Sequence, residues 1–289
     1  SPDFSAPTSI TVLVGVSGKS NKGVKIELSL TDWVEWDKEL FDILLEKPKL
    51  DVTSELKAPP STKNYGTVGT AFDYALRLLI ERENVGVVSH FPLVARQGIK
   101  GDKKRKDFIN EFDAKHSKYV LSNGITIHEL LSDCIVLAKL DAVFRSGRNF
   151  PNSDIFRIDD EDVRDLSNLI GLVDINIFKA KTQCYLNPCF GESSKDIGGA
   201  DADLLIDDCL IDIKTTKNLS FTRSQLRQLL GYHILNLRER EILGEINYLG
   251  IYYSRHGIMF KFNCEIIRSF LTSEYWESVE DSIKEYHGN

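Results

Sequence analysis

The chain has 289 residues, 42% apolar and 27% charged, a balance ordinary for a globular protein. Forty-three acidic against 36 basic side chains leave a net charge of −7. That argues against a strongly basic nucleic-acid coat, but not against a local basic groove in an enzyme. No apolar run approaches a membrane span and no charged-then-apolar leader is visible, so no membrane partner is expected. The five cysteines are scattered and odd in number, which points to a reducing cytoplasm rather than a disulfide framework.

In chain order, Ile10–Val16 and Val24–Leu28 read as a hairpin. Its turn, Gly15-Val-Ser-Gly18-Lys19-Ser20, imitates a phosphate-binding loop but has two residues between its glycines where four are needed. No nucleotide cofactor is therefore expected. Thr31 or Asp32 starts a helix running through Leu45, with Trp33, Trp36, Leu40, Phe41 and Leu44 as its apolar stripe. Val68–Glu83 has strong helical periodicity. Val85–Ala95 reads as strand, and helices are expected over about Lys106–Val120, Ile125–Phe144 and Asp160–Val173. A strand over Ala180–Leu186 precedes a tight hairpin, Ala200–Ile206 and Cys209–Thr215. A helix over Ser220–Arg238, strands over Ile246–Tyr253 and Ile258–Asn263, and a closing helix over Ile267–Tyr286 complete the chain.

The hairpin carries the chemistry. A two-residue connection at Asp207-Asp208 pairs Ile206 with Cys209 and places Asp203 opposite Asp212 and Asp201 opposite Lys214. Asp201, Asp203, Asp212 and Lys214 then share one face of a hairpin whose other face is apolar. Opposed like charges cost about 0.2–1 kcal/mol a pair across a sheet, and a divalent cation reverses that sign. Hard carboxylate oxygens suit Mg²⁺ or Mn²⁺, and Lys214, roughly 7 Å along the strand from Asp212, can reach an attacking water. For a bare Asp-x-Lys the competing explanation is a solvated salt bridge.

The segment GGADADLLIDDCLIDIKTT resembles motifs II and III of the PD-(D/E)XK nuclease superfamily. Gln228-Leu-Leu-Gly-Tyr232 is similar to the Q-x-x-x-Y motif of its RecB-type branch, and Gly69-Thr-Ala-Phe-Asp73 resembles the G-x-x-x-H helix of that branch, with aspartate in place of histidine. The resemblance covers about Tyr65–Glu83 and Thr182–Tyr253.

It implies a single α/β domain with a restriction-endonuclease-like core over about 65–95 and 180–263. The mixed sheet would be flanked by helices, and the N-terminal hairpin and a helical insertion over about 100–178, read from the chain's own pattern and not covered by the resemblance, would be additions to that core. The implied activity is Mg²⁺- or Mn²⁺-dependent phosphodiester hydrolysis, most readily of DNA, in defence or repair. Asp203, Asp212, Lys214, Gln228 and Tyr232 would be the catalytic set. The Ile213 carbonyl, Asp73 and Asp201 would join Asp203 and Asp212 around the metal, with Asp203 favoured over Asp201. Gln225, one turn before Gln228, competes for the glutamine role. Some relatives hold an iron–sulfur cluster through a C-terminal cysteine trio, but only Cys264 follows the Gln228 helix, so no cluster is expected. Arg223, Arg227 and Lys217 after the hairpin, and Lys103, Lys104 and Arg105 in the basic run Gly101–Lys106, are the expected nucleic-acid contacts. The alternative is a nuclease-like scaffold that binds nucleic acid or a partner protein, within a larger complex, without cutting.

Overall fold

A computed structural model describes residues 29–42, 54–90 and 93–288. The expected N-terminal hairpin, its Gly15–Ser20 turn and the end of the first helix beyond Asp42 lie outside those residues. In chain order the elements are α1 (Leu30–Trp36), α2 (Lys38–Asp42), α3 (Tyr65–Glu83), β1 (Val88–His90), α4 (Lys103–Val120), α5 (Ile127–Arg145), α6 (Asn152–Ile155) and α7 (Asp160–Gly171). There follow β2 (Cys184–Leu186), α8 (Gly191–Asp196), β3 (Leu204–Ile206), β4 (Cys209–Lys214), α9 (Arg223–Arg238), β5 (Tyr248–Tyr253), β6 (Ile258–Asn263), α10 (Glu265–Phe270) and α11 (Ser273–Gly288).

The strands form one six-stranded mixed sheet in sequence order, β1 to β6. β1 is parallel to β2 and β4 to β5, and the other neighbours are antiparallel. A parallel pair cannot be joined by a hairpin and needs a crossover, and α9 supplies it between β4 and β5. The protein is thus α/β, with a helix before three successive antiparallel strands and a crossover helix before the next parallel one.

Each face of the sheet carries its own apolar layer. Leu204, Ile206, Cys209 and Ile211 pack with α3, α5 and α7. Leu205, Leu210, Leu249 and Ile251 pack with α1, α9 and α11. This corrects the expectation of a hairpin apolar on one face only: Leu205 and Leu210 lie on the carboxylate-bearing face and are both 0% exposed. β3 and β4 are interior strands covered on both sides, which explains their nearly continuous apolar sequence.

Capping residues explain most boundaries. Thr222 and Gln225 form a reciprocal capping box at the start of α9, and Thr126 with Glu129 does the same for α5. Two expected long helices are each broken by a polar residue that caps a second helix. Asp37 Oδ1 accepts the Leu40 N–H, separating α1 from α2. Thr272 Oγ1 accepts the Tyr275 N–H, separating α10 from α11. The true cap of α1 is Ser29, whose hydroxyl oxygen accepts the Asp32 N–H.

Glycine permits two close approaches. A β-carbon on Gly231 of α9 would meet Leu30 Cδ1 at 2.8 Å and Val34 Cγ1 at 2.9 Å, so α1 is seated directly on the helix that carries Gln228 and Tyr232. At Gly98, in the 3₁₀ turn Val94–Ile99, a β-carbon would stand 2.1 Å from the Leu140 carbonyl oxygen of α5. Among the described residues no helix is long and apolar enough to cross a membrane.

Candidate active site

The tight connection between β3 and β4 sets the register Leu204↔Ile211, Leu205↔Leu210 and Ile206↔Cys209. One step further along, Asp203 and Asp212 come side by side. Asp203 Oδ2 accepts the Ile213 N–H at 2.6 Å, which fastens the carboxylate where the ladder ends. Asp201 does not continue the strand opposite Lys214, as its spacing predicts. It leaves the ladder and bridges to Cys189, so its backbone rather than its register brings it to the site.

Asp212 is 3% exposed. Burial pushes its carboxyl above the ordinary carboxylate value, the neighbouring Asp203 adds to this, and Lys214 opposes it. The Lys214 ammonium lies 3.0 Å from Asp212 Oδ1 and 2.7 Å from Oδ2. Only the first contact has hydrogen-bond alignment, and Oδ2 is buried without a donor. Lys214 Nζ also donates to Gln228 Oε1 at 3.1 Å. Gln228 Nε2 donates to the Tyr232 hydroxyl at 3.2 Å, and that hydroxyl donates to the Asp201 carbonyl at 2.8 Å. Gln228 and Tyr232 stand one helical turn apart on α9 and so face the same way. Burial and then the nearby Asp203 and Asp212 charges raise the Tyr232 hydroxyl well above its ordinary value, so it stays a protonated donor. Gln225 is taken up elsewhere: it closes the α9 capping box and accepts from the Tyr253 hydroxyl.

A cleft of about 870 Å³ opens beside this row. Its floor includes Asp203, Ile213 and Thr215, with Gln228 and Tyr232 on one side. Tyr65, Gly69, Thr70 and Asp73 of α3 and Asp141, Phe144 and Arg145 of α5 form the opposite wall, and Ser29–Asp32 and Gly198–Asp201 close the rim. Asp212 and Lys214 are set back from this lining. A β-carbon at Gly69 would lie 3.6 Å from Thr215 Cβ, so α3 crosses the end of β4 closely and delivers Asp73 to the cleft. Asp73 Oδ2 is ion-paired to Arg77 Nη2, and its Oδ1 is buried without a partner. Burial pulls the Arg77 guanidinium down to about 10 against the pull of Asp203 and Asp141. Burial also raises the Asp201 carboxyl, opposed by Arg145 and Arg77.

The expected nucleic-acid contacts are not gathered here. Arg227 pairs with Asp42 and Glu35, and Arg223 with Asp42. These arginines fasten α1 and α2 onto α9. Arg105 is 3% exposed and donates to the Gly98 and Phe150 carbonyls and to the Asn149 and Asn152 side chains, so it closes a loop. Lys103 is exposed in the first turn of α4. Lys104 lies 4.5 Å from the Phe156 ring centre. Lys217 alone is near the cleft, 6.0 Å from the centre of the Tyr65 ring.

Two cleft residues, Asp141 and Arg145, escaped the sequence reading, and so did Arg77, the buried partner of Asp73. Their signal was present as two Asp-x-x-x-Arg pairs, Asp73/Arg77 and Asp141/Arg145, each spanning one helical turn. Nothing in the sequence says that α3 and α5 lie side by side.

Among the described residues no three His, Cys, Asp or Glu side chains stand close enough to hold a metal ion by themselves. The donors that suit a hard cation are two carboxylates and one carbonyl. Asp212 Oδ2 is buried with no aligned hydrogen bond beyond its ion pair with Lys214, and Asp203 stands beside it with one oxygen not engaged by Ile213. The N–H and C=O of a strand residue point the same way. The Ile213 N–H goes to Asp203, so its carbonyl faces the same side, beyond the end of β3. These atoms fit Mg²⁺ or Mn²⁺, since a cation there would let both carboxylates stay ionised.

Comparison of the chain with protein-family models, with curated proteins and with solved structures finds no match.

Proposed function

We propose that this protein is a metal-dependent phosphodiester hydrolase acting on DNA, a nuclease of the PD-(D/E)XK type related to the RecB branch. One observation carries the reading. Asp212, Lys214, Gln228, Tyr232 and the Asp201 backbone form a single hydrogen-bonded row beside Asp203, and the residues come from two of the three segments whose resemblance suggested the family. With β1 and the helices α4–α8 set aside, the order α3, β2, β3, β4, α9, β5 also suits a restriction-endonuclease-like core.

Asp203, Asp212 and the Ile213 carbonyl would hold Mg²⁺ or Mn²⁺, with Asp73 and Asp201 on the cleft side. When bound, such an ion supplies charge neutralisation at the phosphate and a more acidic water. The side chains then have definite tasks. An ammonium has three donors. Lys214 gives one to Asp212 and one to Gln228, and the third remains for the attacking water or a phosphate oxygen. Because Gln228 accepts with its oxygen, its amide N–H must point to Tyr232, and the buried Tyr232 hydroxyl passes the constraint to the Asp201 backbone. The row therefore fixes the direction of the lysine rather than merely neutralising it, and a preoriented cation beside developing negative charge lowers the barrier without later reorganisation.

The test is cleavage of supercoiled and linear DNA in Mg²⁺, in Mn²⁺ and in EDTA, for the wild type, Asp212→Ala and Lys214→Ala. Cutting by the wild type alone, with metal alone, is the expected result. A wild type inert in both metals sinks the enzyme reading and leaves the non-cutting scaffold. Equal cutting by the variants moves the site elsewhere.

A further inference from the structure

The cleft wall opposite the Gln228–Tyr232 row holds a cation that the proposed chemistry does not use. Arg145 is the last residue of α5; its side chain is 57% exposed and is part of the cleft lining. Its Nε donates to Asp141 Oδ1 at 2.5 Å. Asp141 is 4% exposed, and its other oxygen accepts from the Tyr74 hydroxyl at 2.9 Å. That hydroxyl in turn accepts the Ala95 N–H at 3.1 Å. A buried relay of backbone, phenol and carboxylate thus grips the guanidinium by its Nε edge. Among the described residues Arg145 makes no other hydrogen bond. Its two terminal amino groups form a planar fork left over for an oxyanion.

We propose that Arg145 binds a phosphate of the nucleic-acid strand adjacent to the one being cut, holding the strand across the cleft from Lys214. This rests on the nuclease reading and adds to it a strand-positioning residue. The arrangement has the required division of labour. Asp141 holds the guanidinium by its Nε edge, while the terminal amino groups are left without a hydrogen-bond partner among the described residues, in a side chain that lines the same cleft as Asp203. The cleft is otherwise rich in carboxylates, with Asp32, Asp73, Asp141, Asp201 and Asp203 all lining it, so a polyanion needs a fixed cation on the wall away from the metal ligands. A plain structural role is the competing account, since a cation at a helix C-terminus favours the helix dipole. That account predicts loss of stability and no change in DNA binding.

Binding of a short fluorescein-labelled DNA, single-stranded and duplex, should be measured by anisotropy over a salt series in Ca²⁺, with cleavage in Mg²⁺ alongside. Arg145→Ala is expected to weaken binding of at least one of the two DNAs by about tenfold to a hundredfold. It should also reduce the slope of log affinity against log salt by about one. In cleavage it should raise KM more than it lowers kcat. Arg145→Lys should recover the salt slope but not the full affinity, because an ammonium keeps the charge and loses the fork. Lys284→Ala, at an exposed position of α11, should bind as the wild type does. Thermal melts of each variant separate lost binding from lost folding. If Arg145→Ala binds both DNAs with wild-type affinity and slope while the wild type cuts, the assignment of Arg145 is overturned and the nuclease reading stands. If the wild type neither binds nor cuts, both fall. If it binds without cutting, the nuclease reading falls and the Arg145 comparison still decides the phosphate site.

Discussion

Lys214 Nζ stands 3.1 Å from Gln228 Oε1, and this bond ties the central strand of the sheet to its crossover helix at the point where the carboxylates meet. The lysine is positioned by an amide that is itself positioned by Tyr232. Gln228→Ala is expected to lower kcat by about ten- to a hundredfold with little change in melting temperature, the size typical of supporting contacts around a metal site. Tyr232→Phe should act in the same direction and more weakly, since it frees the amide to turn over. Full activity in Gln228→Ala would remove the glutamine from the mechanism.

His233 follows Tyr232 and is 0% exposed, with neither ring nitrogen hydrogen-bonded. Burial, and then the positive charge of Arg268, lowers its pKa from 6.5 to about 4. The folded form therefore holds it neutral where the unfolded chain protonates it. Its contribution to stability is complete above about pH 6.5 and is lost as pH falls toward about 4, at about 1.4 kcal/mol per pH unit and about 3 kcal/mol in all. Denaturant midpoints at neutral and mildly acidic pH should show this loss, and His233→Leu should flatten it. An unchanged slope in that variant would place the acid sensitivity in other groups.

Arg255 and Asp165 form a fully buried pair, 1% and 0% exposed, joined by two bonds of 2.9 Å. Arg255 also donates to the Ala58 carbonyl at 3.0 Å. The pair links the β5–β6 turn to α7, across the boundary between the sheet and the helical segment. Removing one partner leaves the other charge buried alone, so Arg255→Met or Asp165→Leu is expected to cost about 3–5 kcal/mol. The double substitution Arg255→Met/Asp165→Leu should recover part of that loss. Urea unfolding measures both, and additive losses would contradict the pairing argument.

Gly98→Ala drives a β-carbon into the Leu140 backbone, which cannot rotate away as a side-chain tip could. A loss of about 1–3 kcal/mol or more is expected. Gly171→Ala, at the end of α7 with nothing within 4 Å of the added carbon, should be neutral or slightly stabilising. Thermal melts that rank the two equally would show that the 3₁₀ turn does not pack on α5 as described.

The carboxylate hairpin was legible because its information is local. A two-residue turn and a period of two place Asp203 beside Asp212 without knowledge of the rest of the chain. The helices α3, α4, α5, α7 and α9 were legible for the same reason, through apolar spacing and caps. Asp201 was misplaced because nothing in the strand pattern shows that Cys189 draws it out of the ladder. The basic residues could be located along the chain but not given roles. Arg105, Arg223 and Arg227 look like groove residues by composition, yet their partners Asn149, Asn152, Asp42 and Glu35 are distant in sequence.

By itself the sequence determined the α/β pattern, the hairpin register and the helix spacing that puts Gln228 and Tyr232 on one face. All of these follow from interactions within a few residues, where backbone geometry leaves few choices. Only the tertiary structure decided that Lys214 meets Gln228, that the hairpin is buried on both faces, and that Arg145 rather than Arg227 faces the cleft. Those facts depend on how α5 and α9 pack on opposite sides of one sheet. Such packing is set by the summed fit of many long-range apolar contacts, none of which is encoded in any single stretch of the chain.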